Sequence, residues 1–194
     1  YKDLVIHEKD EIKTKSDNYY TVFTPYKNNW LSTQKDEANY AELTQESLLE
    51  VKEDSSIESD RWFELIGFKK VAGNYNGGRS HALTRLSNFT AHIHEYDQKR
   101  DFPSLNYTSG LSPYLRFGCI SVRECVNFAS KFNSVGAQIW LSEIIWRDFY
   151  QMVCDTHPTC DKKAIKPVYD SINWEGKDEW FIAWCEGKTG FPII

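Results

Sequence analysis

The chain has 194 residues, of which 41% are hydrophobic, and a formal charge of −5 at pH 7. That size and apolar fraction support one domain, or parts of two, around a filled core. No apolar run reaches the roughly 18–20 residues of a membrane span. The opening "YKDLVIHEKD" has no basic region followed by an apolar stretch, so no secretory signal is expected, and the acidic balance excludes indiscriminate nucleic-acid binding.

The charge is uneven. Residues 1–60 carry 14 acidic and 7 basic side chains, and residues 61–194 carry 14 and 16, so an anionic partner belongs to the second stretch. The cysteines at 119, 125, 154, 160 and 185 form no C-x-x-C pair and are expected to be buried, reduced thiols of a cytoplasmic protein. Seven tryptophans are enough to prompt a search for stacking or redox roles.

In chain order, "DLVIHE" at 3–8 predicts a short strand, and "YYTVFTPYKNNWLS" at 19–32 has a β-rich start before Pro25. A lone terminal strand needs partners elsewhere. Residues 34–60 are acidic and polar, suiting a solvated linker with a partial helix, and "GNYNGG" at 73–78 reads as a turn and boundary. Helical periodicity follows. Ala82, Leu86, Phe89 and Ile93 form one apolar stripe behind Ser80 as N-cap. Ser121 and Glu124 form a capping box ahead of Val122, Cys125, Val126, Ala129 and Phe132. A third helix runs from about Ala137 to near His157, before Pro158. A last one, "DEWFIAWCEG", stops at Gly187.

The third helix carries the most chemistry. Leu141, Ile145, Phe149 and Met152 form a core ridge, whereas Glu143, Trp146, Arg147 and Tyr150 share another face. That face reads two ways. It is a solvated surface with a Glu143–Arg147 pair and a packed Trp146, or a set of groups suited to a base edge, a base ring and a phosphate. "TSGLSPYLRFGCIS" at 108–121 is likewise a capped helix connection or a cradle of hydroxyls and amides for a phosphate. It has neither the P-loop nor the dinucleotide glycine spacing. His92 and His94 fall on different faces of a predicted helix with no completing Cys or acid, so no metal site is expected. No G-x-S-x-G elbow is present.

Three segments together resemble the DNA photolyase and cryptochrome family. "YDQKRDFPSLNYTSGLSPYLRFGCISVREC" at 96–125 is similar to the family's T-S-x-L-S-P-Y-L and G-x-I-S-x-R run. "WLSEIIWRDFYQMVCDTHP" is similar to its E-x-x-W-R-[ED]-F-Y helix, and "FIAWCEGKTGFPII" to its A-W-x-x-G-x-T-G-[YF]-P. "VFTPYKNNW" at 22–30 resembles the segment that closes the family's N-terminal α/β domain.

The resemblance implies a mainly α fold. Residues 1–33 would end a Rossmann-like α/β antenna domain, 34–79 would link, and 80–194 would open an all-helical FAD-binding domain. The start at Tyr1 and the end at "TGFPII" are expected to bound a piece of a longer chain. FAD would contact Tyr96, Thr108, Ser109, Gly110, Leu111, Ser112, Trp140 and Arg147. Glu143 and Trp146 would face a flipped-out pyrimidine dimer, with Arg100, Arg147 and Tyr150 helping to hold the DNA and Trp174 ending an electron-transfer chain. A dimer is easier to extrude than a sound base because it pairs and stacks poorly. The implied activity is light-driven repair of cyclobutane pyrimidine dimers by electron transfer from reduced FAD. An antenna chromophore of folate or deazaflavin type, a monomeric state and a cytoplasmic, membrane-free location go with it. The alternative on the same fold is a cryptochrome-type blue-light receptor. The Glu143–Trp146 pair favours the enzyme, and Glu rather than Gln at 143 speaks against a (6-4) photolyase.

Overall fold

The structure, a computed structural model, describes residues 4–33, 65–68, 76–173 and 175–191. The acidic stretch 34–60 and Trp174 lie outside them. The chain divides into two compact units, Tyr1–Met152 and Val153–Ile194. The described residues are helical without a strand: α1 (Phe23–Ser32), α2 (Arg79–Phe89), α3 (Tyr96–Lys99), α4 (Ser112–Arg116), α5 (Val122–Ala129), α6 (Val135–Thr156) and α7 (Asp178–Cys185), with short 3₁₀ turns at Ile93–Glu95, Pro103–Leu105 and Pro167–Ser171. The mainly α expectation holds.

Both β expectations near the start are corrected. Residues 4–8 form bends, not a strand, because the backbone N–H groups of Ile6 and His7 donate to the Asp148 carboxylate instead of a sheet ladder. Val22 is extended, but α1 starts at Phe23, so Pro25 sits in a helix's first turn, where a missing N–H costs nothing. Tyr26 and Trp30, one turn apart, bury the inner face of α1.

The stripe of Ala82, Leu86, Phe89 and Ile93 is buried throughout. Ser80 is not its cap, however: Gly78, at φ 96°, holds the N-cap position and the helix begins at Arg79. The capping box of α5 forms. Ser121 Oγ accepts from Arg123 N at 3.1 Å and Glu124 Oε2 accepts from Ser121 N at 2.9 Å, while Arg79 grips the same carboxylate from α2. Phe89 joins three elements, its ring lying 5.7 Å from Tyr96 and 5.2 Å from Trp140.

Gly136, in the first turn of α6, fixes how that helix seats. A Cβ there would stand 2.8 Å from the His94 carbonyl oxygen and closer still to that of Ile93. Only a glycine lets the two backbones approach this way. His92 and His94 do point apart, one ring against Tyr107 and the other against Phe132, and no cluster suited to a metal occurs among the described residues. The expected thiol burial holds fully for Cys125 alone, whose thiol burial pushes up to about 12. Cys119 and Cys160 are half-buried and Cys154 and Cys185 exposed, all as free thiols.

In the second unit, α7 ends as expected. Gly187 adopts φ 65°, and Lys188 N returns to the Ala183 carbonyl at 2.7 Å. No helix among the described residues is long and apolar enough to cross a membrane.

Candidate functional site

The i, i+4, i+7, i+11 row of α6 places Trp140, Ile144, Arg147 and Gln151 on one stripe, and this stripe forms a wall of a cleft of about 420 Å³. The facing wall is built by Ser109, Leu111, Ser112 and Leu115, at and just inside the start of α4. Gly110 makes that entry possible, since its φ of 62° is left-handed and costly for any side chain with a Cβ. Trp140 Nε1 donates to Ser109 Oγ at 3.4 Å, tying one wall to the other. Tyr96 closes the cleft, its phenol pushed up by burial and then by the Glu143 carboxylate, so it is a protonated donor at neutral pH.

Six of the eight predicted flavin residues thus line one cleft: Tyr96, Ser109, Leu111, Ser112, Trp140 and Arg147. Gly110 shapes its wall through the backbone. Thr108 is exposed and not among the lining residues.

The four-residue face of α6 divides. Glu143 and Arg147 reach the cleft, whereas Trp146 and Tyr150 are not among its lining residues. The Glu143–Arg147 pair does not form. Glu143 is hydrogen-bonded to Arg100, whose guanidinium also lies 5.8 Å from the Tyr96 ring centre. Arg147 donates to the Leu4 carbonyl. Trp146 stacks face to face on Phe23 of α1, with centroids 3.6 Å apart and planes 7° from parallel, and on Tyr150 at 5.3 Å. Trp174 lies outside the described residues.

Sequence reasoning missed Ile144 and Gln151, although both fall on the Trp140–Arg147 row and helical spacing finds them. Leu4, Phe23 and Asp148 had no such signal, because their roles arise from contacts across more than a hundred residues.

Comparison with known proteins bears on this cleft. The family described as the FAD binding domain of DNA photolyase matches residues 140–194. The deoxyribodipyrimidine photo-lyase of Alkalihalophilus pseudofirmus is 32% identical over 201 residues, covering 100% of this chain and 41% of that protein. That of Vibrio cholerae is 32% identical, covering 100% and 43%. Along its whole length this chain is similar to DNA photolyases. A crystal structure of a bacterial class III photolyase from Agrobacterium tumefaciens superposes with a TM-score of 0.82 at 26% identity, over 98% of this chain and 41% of that one. The chain therefore spans about two fifths of the length of the photolyases it matches.

The cleft residues suit the family's flavin in part. Two serine hydroxyls, a left-handed glycine and the Arg147 cation are a donor set for an anionic phosphate, and Trp140 and Leu111 offer apolar surface beside them.

Proposed function

We propose that the protein to which this chain belongs is a deoxyribodipyrimidine photo-lyase that binds FAD and repairs cyclobutane pyrimidine dimers in DNA under light. The observation that supports the reading best is that six of the eight residues expected to contact flavin line one cleft, with Glu143 at its wall. The matches to photo-lyases along the full length of the chain favour the same reading. When bound, reduced FAD supplies on excitation the electron that opens the dimer, and takes it back afterwards.

In this reading Ser109 and Ser112 hold the cofactor's phosphates, and Trp140 packs against it. Glu143 meets the polar edge of the extruded dimer beside Trp146, while Arg100, Arg147 and Tyr150 help hold the DNA and Thr108 contacts the flavin from the turn. Trp174 ends an electron-transfer chain. Residues 1–33 close an antenna domain that carries a folate or deazaflavin, 34–79 link, and 80–194 open the helical domain. The protein is a cytoplasmic monomer.

The test is repair of a thymine-dimer oligonucleotide by the intact protein with reduced FAD, in light and in the dark. Restored thymines are expected in light alone. Glu143→Gln is expected to lower the repair rate by about tenfold or more while flavin stays bound. Bound flavin that photoreduces without any repair would replace the enzyme with a blue-light sensor.

A further inference from the structure

Phe23 belongs to neither the flavin set nor the dimer set, yet it makes a close ring contact with a member of the latter. Its ring lies 3.6 Å from the Trp146 indole at an interplanar angle of 7°, a full face-to-face overlap. Phe23 is the first residue of α1, and three contacts hold that helix along α6. Trp30 donates to Asp148 at 3.0 Å, the Tyr26 ring meets Phe149 edge-on at 5.2 Å, and Phe23 itself meets Phe149 edge-on at 5.8 Å. On its own helix, Trp146 has Tyr150 stacked on it from the next turn. The indole is half-buried and also meets Phe149 edge-on at 5.6 Å, so its orientation is set largely by these rings.

We propose that Phe23 is a positioning residue for Trp146: it holds the indole plane that presents Trp146 beside Glu143 to an extruded pyrimidine dimer. The physical reason is rotameric. A half-buried tryptophan without a fixed neighbour has more than one χ1 and χ2 state open to it, and each wrong state must be corrected when substrate arrives. A parallel ring fixed on a neighbouring helix removes that freedom before binding. The contact also couples the N-terminal segment to the substrate face, since α1 supplies the ring and α6 the indole. The inference rests on the dimer-repair reading of Glu143 and Trp146.

The experiment uses the intact protein with FAD bound and compares wild type, Phe23→Leu, Phe23→Tyr, Trp146→Ala and Phe23→Leu in the Trp146→Ala background. Leucine keeps most of the apolar contact without a stacking ring, and tyrosine keeps the ring. Two quantities are read for each: near-ultraviolet circular dichroism of the indoles, and affinity for a thymine-dimer duplex relative to the undamaged duplex. Phe23→Leu is expected to alter the indole dichroism and reduce dimer discrimination about three- to tenfold, the scale of one aromatic pair. Phe23→Tyr should stay within about twofold, and in the Trp146→Ala background Phe23→Leu should add nothing. An equal loss in both backgrounds would overturn the proposal, because Phe23 would then act without the indole. If Trp146→Ala leaves discrimination intact, the dimer reading of Trp146 fails. The dichroism then decides separately whether Phe23 orders the indole: a change that requires Trp146 upholds that ordering, and none removes it.

Discussion

Asp148 shows how one side chain holds three parts of the chain. Its Oδ2 accepts from Ile6 N at 3.0 Å, His7 N at 3.4 Å and Trp30 Nε1 at 3.0 Å, while Oδ1 is buried without a hydrogen-bond partner among the described residues. Asp148→Ala removes the shared acceptor and should cost about 3 kcal/mol in thermal unfolding, the scale of desolvated donors left unmet. Burial outweighs those donors and raises the carboxyl above its ordinary value. The folded state therefore holds the proton more tightly than an unfolded Asp, which titrates near about pH 4. The associated stability is complete below that point and is lost as pH rises through the folded value. Asp148→Asn cannot ionise, so its melting temperature should gain on wild type as pH increases from about 4 to about 8. A constant difference across that range would refute the assignment. Arg100 makes a second residue-scale case. Its guanidinium is hydrogen-bonded to Glu143 and lies against the Tyr96 ring, so in the repair reading its hold on the DNA runs through the carboxylate that meets the dimer. Arg100→Ala should therefore weaken discrimination for dimer DNA and leave the salt dependence of binding nearly unchanged, whereas loss of a phosphate contact shifts that slope by about one.

At the scale of elements, the helices legible in the sequence are those whose signal is local. The Ser121–Glu124 box, the 82–86–89–93 stripe and the Gly187 stop are each specified within four to eleven residues, and each forms. The β-propensity at the start of the chain does not produce a strand, because it reports fit to a pleated surface that is not present among the described residues. What residues 4–8 have instead is a carboxylate more than 140 positions away. The site divides the same way. Residues on the Trp140–Gln151 row follow from helical spacing, but that Glu143 would pair with Arg100, and not with Arg147 one turn on, depends on where α3 packs. Gly136 was silent for a related reason: nothing in its neighbours tells that another backbone passes within a methyl's reach. Gly136→Ala should cost about 1–3 kcal/mol by forcing α6 off the 93–95 turn, even though alanine has the higher helix propensity. Equal or higher thermal stability of this variant would show that the turn yields.

For the whole molecule, burial is concentrated in one unit. Every buried hydrophobic side chain among the described residues lies at or before Met152. In the second unit α7 has no buried residue, and Trp180, Phe181, Ile182 and Trp184 are all more than half exposed. Local stability follows the density of buried apolar contacts, so the two units should open with very different free energies. The amides of α5 and of α6 up to Met152 should exchange only through global unfolding. Those of 178–185 should exchange through local opening, faster by about tenfold or more, since each 1.4 kcal/mol is tenfold. Hydrogen exchange read by mass spectrometry on the 194-residue chain resolves the two segments directly. If 178–185 were as protected as 137–152, the short hydrogen-bonded turns of the second unit, such as Asp170 on the Ala164 amide at 2.7 Å, would be supplying the cooperativity that its described apolar side chains, none of them buried, do not.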